Sequence, residues 1–402
     1  MRILTFTTLY PNAEQPNNAI FVQHRMAAVN RLPGAEVRVV APVPWFPDIS
    51  FGSERWRVFA RVPRQETRAG VQVFHPRYLV TPKIGMTLYG LYMFLGVLPT
   101  MKKIFQEWPF DVIDAHYVYP DGVAAMLFGR LFRRPVVVSA RGTDINLYPQ
   151  FRLIRPLIRW VVTRADGLIS VCRSLSDIMV DLGAQQDKVW VIPNGIDPHL
   201  FYPKEQRAAR MELDLGEKQK ILLTVGALIE RKGIHLLIEA LHLLKEQGKL
   251  EFSTYIVGKG ELKGLLETLV EQYGLSRQVF LVGEVANERL ACWYNAADLF
   301  FLGSSREGWP NVVSESLACG TAVIATPVDG IPDIIHSPKL GSVVERDPRL
   351  FATALEQGFR QNWNREYISD VGQKRTWQKV AHEVKRVLEQ VIKQSGGKEK
   401  NE

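Results

Sequence analysis

Residues 307–326 read EGWPNVVSESLACGTAVIAT, from Glu307 to Thr326. Pro310 suits the first position of a helix and Gly320 the residue just past its end. The spacing therefore predicts a helix from about Pro310 to Cys319, followed by an uncharged, strand-like Thr321–Thr326. Glu307 falls in the loop before this helix and Glu315 on its second turn, eight residues further on. Gly308 lets a ligand approach the backbone closely. The N–H groups and positive dipole end at Pro310–Val313 can hold an anion. Two carboxylates around an anion-binding helix start suit a molecule with hydroxyls flanking phosphates, such as a nucleotide sugar. Acidic pairs are also common on solvated helices, and on spacing alone the two readings stand even.

Upstream, Ile221–Gly226 reads as a strand, Ala227–Lys232 as a loop and Ile234–Lys245 as a helix with leucines at helical spacing. Tyr255–Gly258, Val279–Gly283 and Asp298–Leu302 are further strands, the last leading into Glu307. Strand–helix alternation without a hairpin argues for a doubly wound parallel sheet. Arg231 and Lys232 open the helix after the first of these strands, where positive charge is slightly unfavourable. That mismatch favours phosphate binding over a solvated surface pair.

The first half opens in the same way. Arg2–Thr7 and Glu36–Ala41 read as strands around a Pro- and Asn-rich loop, Leu9–Ala19, and a helix near Phe21–Arg31. Asp111–His116 and Pro135–Ala140 are strands ending in polar loops, the first carrying His116, Asp121 and Gly122, the second Arg141, Gly142, Thr143 and Asp144. His116 reads equally as a satisfied strand-end histidine and as a group of the site. Gly167–Cys172 and Val189–Pro193 complete this half, and Asn194–Asp197 forms a tight turn. Residues 204–220 read as a charged linker with one short helix. Val43–Val80 has no clean period and reads as an extended insertion at the sheet edge. Ile84–Met101 is eighteen residues without a charge, yet its glycines, threonines and late proline favour a buried or interfacial helix over a membrane span. Arg152–Arg164 alternates arginines with an apolar stripe; Pro156 points to a short, mostly packed helix, with a membrane-surface helix as the alternative.

Of the 402 residues, 46% are hydrophobic and 23% charged, an ordinary globular composition. The net charge of +8 is uneven: residues 1–195 carry 23 Lys+Arg against 14 Asp+Glu, the remainder 27 against 28. The basic first half points to an anionic partner, and without a zinc finger or RNA-binding motif a membrane surface or acidic polymer is favoured over nucleic acid. Cys172, Cys292 and Cys319 lie in apolar surroundings without metal-ligand spacing, which predicts buried thiols in a reducing compartment. Met1–Thr8 runs straight into a strand pattern, so no signal peptide is expected.

The Glu307–Glu315 pair with its ACGTAVIAT run resembles the E-x7-E motif of glycosyltransferase family 4, and NGID at 194–197 resembles that family's hinge. The resemblance implies a retaining transferase of the GT-B fold, α/β, with two doubly wound parallel-sheet (Rossmann-like) domains facing a central cleft. The acceptor-side domain would be 1–195 with a crossing-back helix at 376–392, the nucleotide-sugar domain 196–375, and 393–402 a disordered tail. Carried over, Arg231 and Lys232 would grip the donor phosphates, Glu307 the donor sugar and Glu315 the ribose. Gly308 and the backbone of Trp309, Pro310, Asn311 and Val312 would face sugar and phosphate. Gly258 and Gly260 would allow close approach near the base, and His116 and Arg141 would face the cleft, Arg141 standing where many relatives place histidine beside the donor sugar. Ala227 replaces a frequent arginine, and Asn17, Asn18 and Ala19 stand where glycines often lie. No Asp-x-Asp triplet occurs, so no metal and no cofactor are expected. Expected partners are the nucleotide sugar, a glycan or lipid-linked acceptor and an anionic membrane surface, with the protein at the inner face of the cell membrane. A nucleotide-sugar epimerase of the same fold and a non-catalytic membrane-surface nucleotide-binding protein are the alternatives.

Overall fold

The computed structural model describes residues 1–45, 54–81 and 85–398. The chain divides into two compact units, Met1–Asn194 with the segment from Trp377, and Gly195–Thr376.

In the second unit six strands form one parallel sheet. Their spatial order is Val279–Gly283, Ser253–Val257, Ile221–Val225, Leu299–Leu302, Ala322–Ala325 and Gly341–Val343. Ile221–Val225, Leu299–Leu302 and Ala322–Ala325 are buried at every residue. That is why they read as apolar runs rather than alternating patterns, since helices cover both faces of a parallel sheet. Gly341–Val343 is three residues long and escaped the sequence reading. The strand order reverses between Ile221–Val225 and Leu299–Leu302. Loops leaving such a switch point diverge to opposite faces and leave a crevice at the carboxyl ends of the strands. The expected linker helix is Gln206–Glu212, which packs on the helix Asn287–Ala296.

Beside a two-stranded pair, Val43–Pro44 with Arg77–Tyr78, the first unit has a main sheet of eight strands, in the order Val189–Val191, Gly167–Ser170, Val136–Ala140, Val112–His116, Arg2–Phe6, Glu36–Val40, Val71–Phe74 and Gln65–Arg68. All pair in parallel except the last, which forms an antiparallel hairpin with Val71–Phe74. The reading of 43–80 as an extended insertion is corrected here. Ala69 and Gly70, at φ 48° and 77°, make a tight turn, and the hairpin joins the main sheet. Residues 46–53 of that stretch lie outside the described residues.

The apolar stretch after Ile84, itself outside the described residues, becomes the helix Tyr89–Glu107. It buries Gly90, Met93, Val97, Met101 and Ile104. Among the described residues no helix is long and apolar enough to cross a membrane. The arginine-rich segment forms the helix Arg155–Arg164, with Ile158, Val161 and Val162 buried.

The final helix, Trp377–Lys398, belongs to the first unit. Its Val380, Val384, Val387, Leu388 and Val391 share one core with Val22, Met26 and Val29 of the helix Ile20–Asn30. Each such side chain contributes roughly 1.5–3 kcal/mol on full burial, so this helix completes the unit's core. It also runs past 392, where disorder was expected. No proline stops it, and Lys393 and Gln394 are good helix formers; residues 399–402 lie outside the described residues.

Candidate active site

The crevice of the second unit is where the carboxylate motif meets the basic pair. The strand Ile221–Val225 runs into the loop 226–229 and a short 3-10 turn, Glu230–Lys232. The neighbouring strand Leu299–Leu302 runs into the loop that carries Glu307. Because these strands are adjacent, with Leu222 beside Leu299, their loops converge. Lys232 Nζ donates to Glu307 Oε1 at 2.5 Å, and Ser304 Oγ donates to the same oxygen at 2.7 Å. Arg231 Nη1 lies 3.5 Å from Glu307 Oε2 and donates to the Arg306 carbonyl at 2.6 Å. Burial alone would raise the Glu307 carboxyl, but the charges of Lys232 and Arg231 hold it below the usual carboxylate range. The site thus holds an ionised carboxylate with two cations on it.

Three supports of this site went unread in the sequence. Asp329 Oδ2 accepts from Glu307 N at 2.6 Å and fixes the loop carboxylate from behind. Arg346 donates to the Gly303 carbonyl at 3.0 Å and the Glu230 carbonyl at 3.1 Å, tying the two loops together. Tyr294 Oη donates to Glu315 Oε2 at 3.0 Å. The Val328–Asp329–Gly330 turn signal could have pointed to Asp329; Arg346 and Tyr294 carry no local signal.

The motif helix runs Asn311–Ala318, one residue shorter at each end than expected. Pro310 is its cap, at ψ 98°, because its backbone is still extended. Glu315 lies on the second turn, and burial pushes its carboxyl up to about 7, with the Tyr294 hydrogen bond opposing. Gly308 O accepts from Gly330 N at 3.1 Å, and Trp309 Nε1 donates to Ser314 Oγ at 3.2 Å. Val312 is half-buried against the core. Gly258 and Gly260 are required by packing between neighbouring loops. A Cβ on Gly258 would lie 1.9 Å from Gly226 O, and one on Gly260 2.4 Å from Leu228 O. Ala227 lies in that same loop.

In the first unit His116 ends the strand Val112–His116 and Arg141 follows the adjacent strand Val136–Ala140. His116 is fully buried with both ring nitrogens engaged, Nε2 with Asp114 Oδ2 at 3.0 Å and Nδ1 with Arg141 Nη2. A guanidinium can only donate. Nδ1 therefore accepts, Nε2 carries the proton, and it donates to Asp114. Burial pushes the imidazole down to about 4, with the Asp114 charge opposing and the Arg141 charge adding to it. His116 is thus a neutral imidazole bridging a carboxylate to a guanidinium. Arg141 Nη1 donates to Asn194 Oδ1 at 3.1 Å, and its guanidinium lies 5.5 Å over the Phe21 ring. Asp144 accepts from the N–H groups of Val118, Arg141 and Gly142 at 2.8–3.0 Å, and Asp121 takes Thr8 N at 2.5 Å. Both carboxylates are fully buried; burial raises both, Asp121 to about 8. These loops at the ends of the strands are fixed by their own side chains.

Two family models match the chain: "Glycosyltransferase Family 4" over residues 34–200 and "Glycosyl transferases group 1" over residues 205–375. A Bacillus subtilis (strain 168) protein, TuaC, provisionally described as a teichuronic acid biosynthesis glycosyltransferase, is 27% identical over 377 residues, 92% of each chain. WcaL of Escherichia coli (strain K12), provisionally described as a colanic acid biosynthesis glycosyltransferase, is 30% identical over 68% of this chain and 66% of its own. Among solved structures, sucrose-phosphate synthase from Thermosynechococcus elongatus superposes with a TM-score of 0.77 at 19% identity, covering 97% of this chain and 98% of that one. Anabaena HepE in complex with UDP does so at 0.74 and 18%, covering 97% and 100%.

Proposed function

The chain belongs to glycosyltransferase family 4 and has the GT-B fold, and from that premise we propose that it moves a sugar from a nucleoside-diphosphate sugar to a hydroxyl acceptor with retention and without a metal ion. The observation that carries this reading is the convergence of Lys232 and Arg231 on Glu307 at the strand-order reversal of the second unit. As the glycosidic bond breaks, negative charge grows on the leaving diphosphate while the sugar passes through an oxocarbenium-like state. Groups that act on that charge accelerate the step only as far as they hold the transition state better than the ground state. Lys232 and Arg231 take that role, Glu307 holds donor-sugar hydroxyls and Glu315 the ribose hydroxyls. Gly308, Trp309, Pro310, Asn311 and Val312 line sugar and phosphate, and Gly258 and Gly260 keep the neighbouring loops close by the base. The leaving phosphate takes the acceptor proton on the same face, so no protein nucleophile is needed. On the first unit, Arg141, backed by His116, is the group suited to a phosphate or an acidic acceptor.

The names of the relatives, teichuronic and colanic acid biosynthesis, support a role in cell-envelope polysaccharide synthesis. HepE structures with UDP and UDP-glucose support a uridine nucleotide sugar as the donor class to test first. The basic first half supports attachment to the inner, anionic face of the cell membrane, where a lipid-linked acceptor would lie. Mass spectrometry of products from a panel of nucleotide sugars, with and without glycan and lipid-linked acceptors, tests the reading. Transfer only in the presence of an acceptor supports it. Conversion of the donor without any acceptor would favour the epimerase instead.

A further inference from the structure

The first unit carries a cavity of about 680 Å³ whose lining includes Arg38, Arg64, Arg77, Lys103, Gln72 and Phe74 and none of the strand-end residues described above. Arg38 and Gln72 are register partners on adjacent strands, and Phe74 follows two residues on. The alternate residues Val37, Val39, Val71 and Val73 fill the core on the opposite face. The helix Tyr89–Glu107 lies over the polar face, so close at Gly96 that a Cβ there would be 2.8 Å from Arg77 O. A sheet face under a helix is ordinarily apolar; this one presents Arg38 and Gln72, and Arg64, Arg77 and Lys103 join them from the surrounding elements.

Four positive side chains line the cavity against one carboxylate, Glu107, which is 59% exposed and 4.0 Å from Lys103. Among the described residues no ion pair engages Arg38, Arg64 or Arg77. Arg77 donates only to backbone carbonyls, to His75 O at 2.9 Å and to those of Ala60 and Val62. Arg38 lies 4.7 Å over the Trp108 ring. Burial, then the charge of Arg64, pushes the Arg77 guanidinium down from its ordinary value. Like charges held together in a partly dry cavity repel, and an anion among them offsets that cost.

Exposed apolar side chains on the elements that line the cavity or adjoin them narrow the anion. On the same helix and the turn before it, Leu88, Leu91 and Leu95 repeat at spacings of three and four and are 46%, 44% and 56% exposed. Trp45, bonded through its N–H to Tyr78 O, and Leu79 are also exposed and flank the Arg77–Tyr78 strand on which Gly96 packs. Exposed leucines and a tryptophan on the same elements as a basic pocket, or next to them in the chain, are the chemistry of a membrane–water boundary. We propose that this cavity seats the phosphate ester of an anionic lipid headgroup, with Leu88, Leu91 and Leu95 entering the acyl boundary beside it. This rests on the membrane-face reading above and adds the site that performs it.

The test is co-sedimentation of the full chain with phosphatidylcholine vesicles, with and without phosphatidylglycerol. The variants are Arg64→Gln/Lys103→Gln, both at exposed cavity positions, and Arg31→Gln/Arg164→Gln, which removes equal charge from exposed positions outside it. The expected result is binding only to the phosphatidylglycerol vesicles, weakened about tenfold or more in the cavity variant and about twofold or less in the control. Leu91→Ser/Leu95→Ser should weaken it as well. Equal loss in both charge variants overturns the cavity while leaving the membrane-face reading intact. No binding of the unaltered chain to anionic vesicles overturns both. Calorimetric binding of inorganic phosphate without vesicle binding assigns the cavity to a soluble phosphate and overturns the lipid.

Discussion

Lys232 Nζ and Glu307 Oε1 lie 2.5 Å apart across 75 residues of sequence, in a pair whose side chains are 14% and 9% exposed. Removing one partner of a buried pair costs about 3–5 kcal/mol where the other charge is left alone, and removing both costs less; here Glu307 keeps Arg231, 3.5 Å away, so the cost of losing Lys232 lies at the low end. This changes what a kinetic variant can be expected to do. The sequence alone places neither residue in the core, whereas the structure makes them depend on one another for stability as well as for chemistry.

Lys232→Ala should therefore lose stability by about 3 kcal/mol, and Lys232→Ala/Glu307→Ala should recover part of it. Urea unfolding of the two singles and the double measures the coupling. Strictly additive losses would show that the pair does not interact. In the fraction that stays folded, kcat of Lys232→Ala should fall roughly a hundredfold or more, since the lost charge acts most on the departing diphosphate. Near-normal kcat would remove Lys232 from the phosphate clamp.

Glu315 sets a pH dependence. Its ordinary carboxyl value of 4.5 is raised to about 7 in the folded chain. Between those values the folded state keeps a proton that the unfolded state releases. The contribution of this group to stability is thus full below 4.5 and lost as pH rises through about 7. Ribose hydroxyls are better held by the ionised form, so the donor KM should fall as pH rises through that same value. Glu315→Gln should flatten this part of the KM profile, and Glu315→Ala should raise KM by roughly 1.5–3 kcal/mol. A step that persists in Glu315→Gln belongs to another group.

His116 should be silent over the neutral range. Its imidazole, ordinarily near 6.5, is held at about 4, so activity between these values should not follow a histidine titration. His116→Ala should nevertheless cost about 1–3 kcal/mol, because it orphans the buried Arg141 and Asp114 groups that face it. Thermal unfolding checks the second statement and a pH–rate profile the first. An inflection near 6.5 that vanishes in His116→Gln would show an imidazole that does change charge.

Transfer should survive excess EDTA, since the chain offers no Asp-x-Asp triplet to a divalent cation. Loss of all activity in EDTA, restored by manganese, would refute metal independence.

The sequence showed most where a single residue type answers a local constraint. Ile221–Val225, Leu299–Leu302 and Ala322–Ala325 appeared as charge-free runs because they are buried throughout, and Pro310 and Gly320 bracketed the motif helix to within one residue. The Arg231–Lys232 pair stood out because cations are out of place at a helix start. What stayed hidden depends on residues far apart. Arg346 ties two loops through backbone carbonyls that any sequence supplies, and Tyr294 reaches Glu315 from a different helix. The 65–74 hairpin was missed because Ala69-Gly70 is a weak turn signal and strands of four residues give little alternation to read. The helix Trp377–Lys398 runs six residues past the 392 at which the sequence reading ended it, because the amphipathic stripe that anchors it lies just before those polar residues.

That last helix has a consequence for how the protein is made. Its Val380, Val384 and Leu388 belong to a core whose other members, Val22, Met26 and Val29, emerge from the ribosome first. The second unit, Gly195–Thr376, is one continuous segment and can fold as it is synthesised. The first unit instead carries an open apolar seam until residues 377–391 have been made. An mRNA truncated before residue 377 would yield a finished second unit tethered to an unsealed first one, the kind of product that chaperones and proteases recognise.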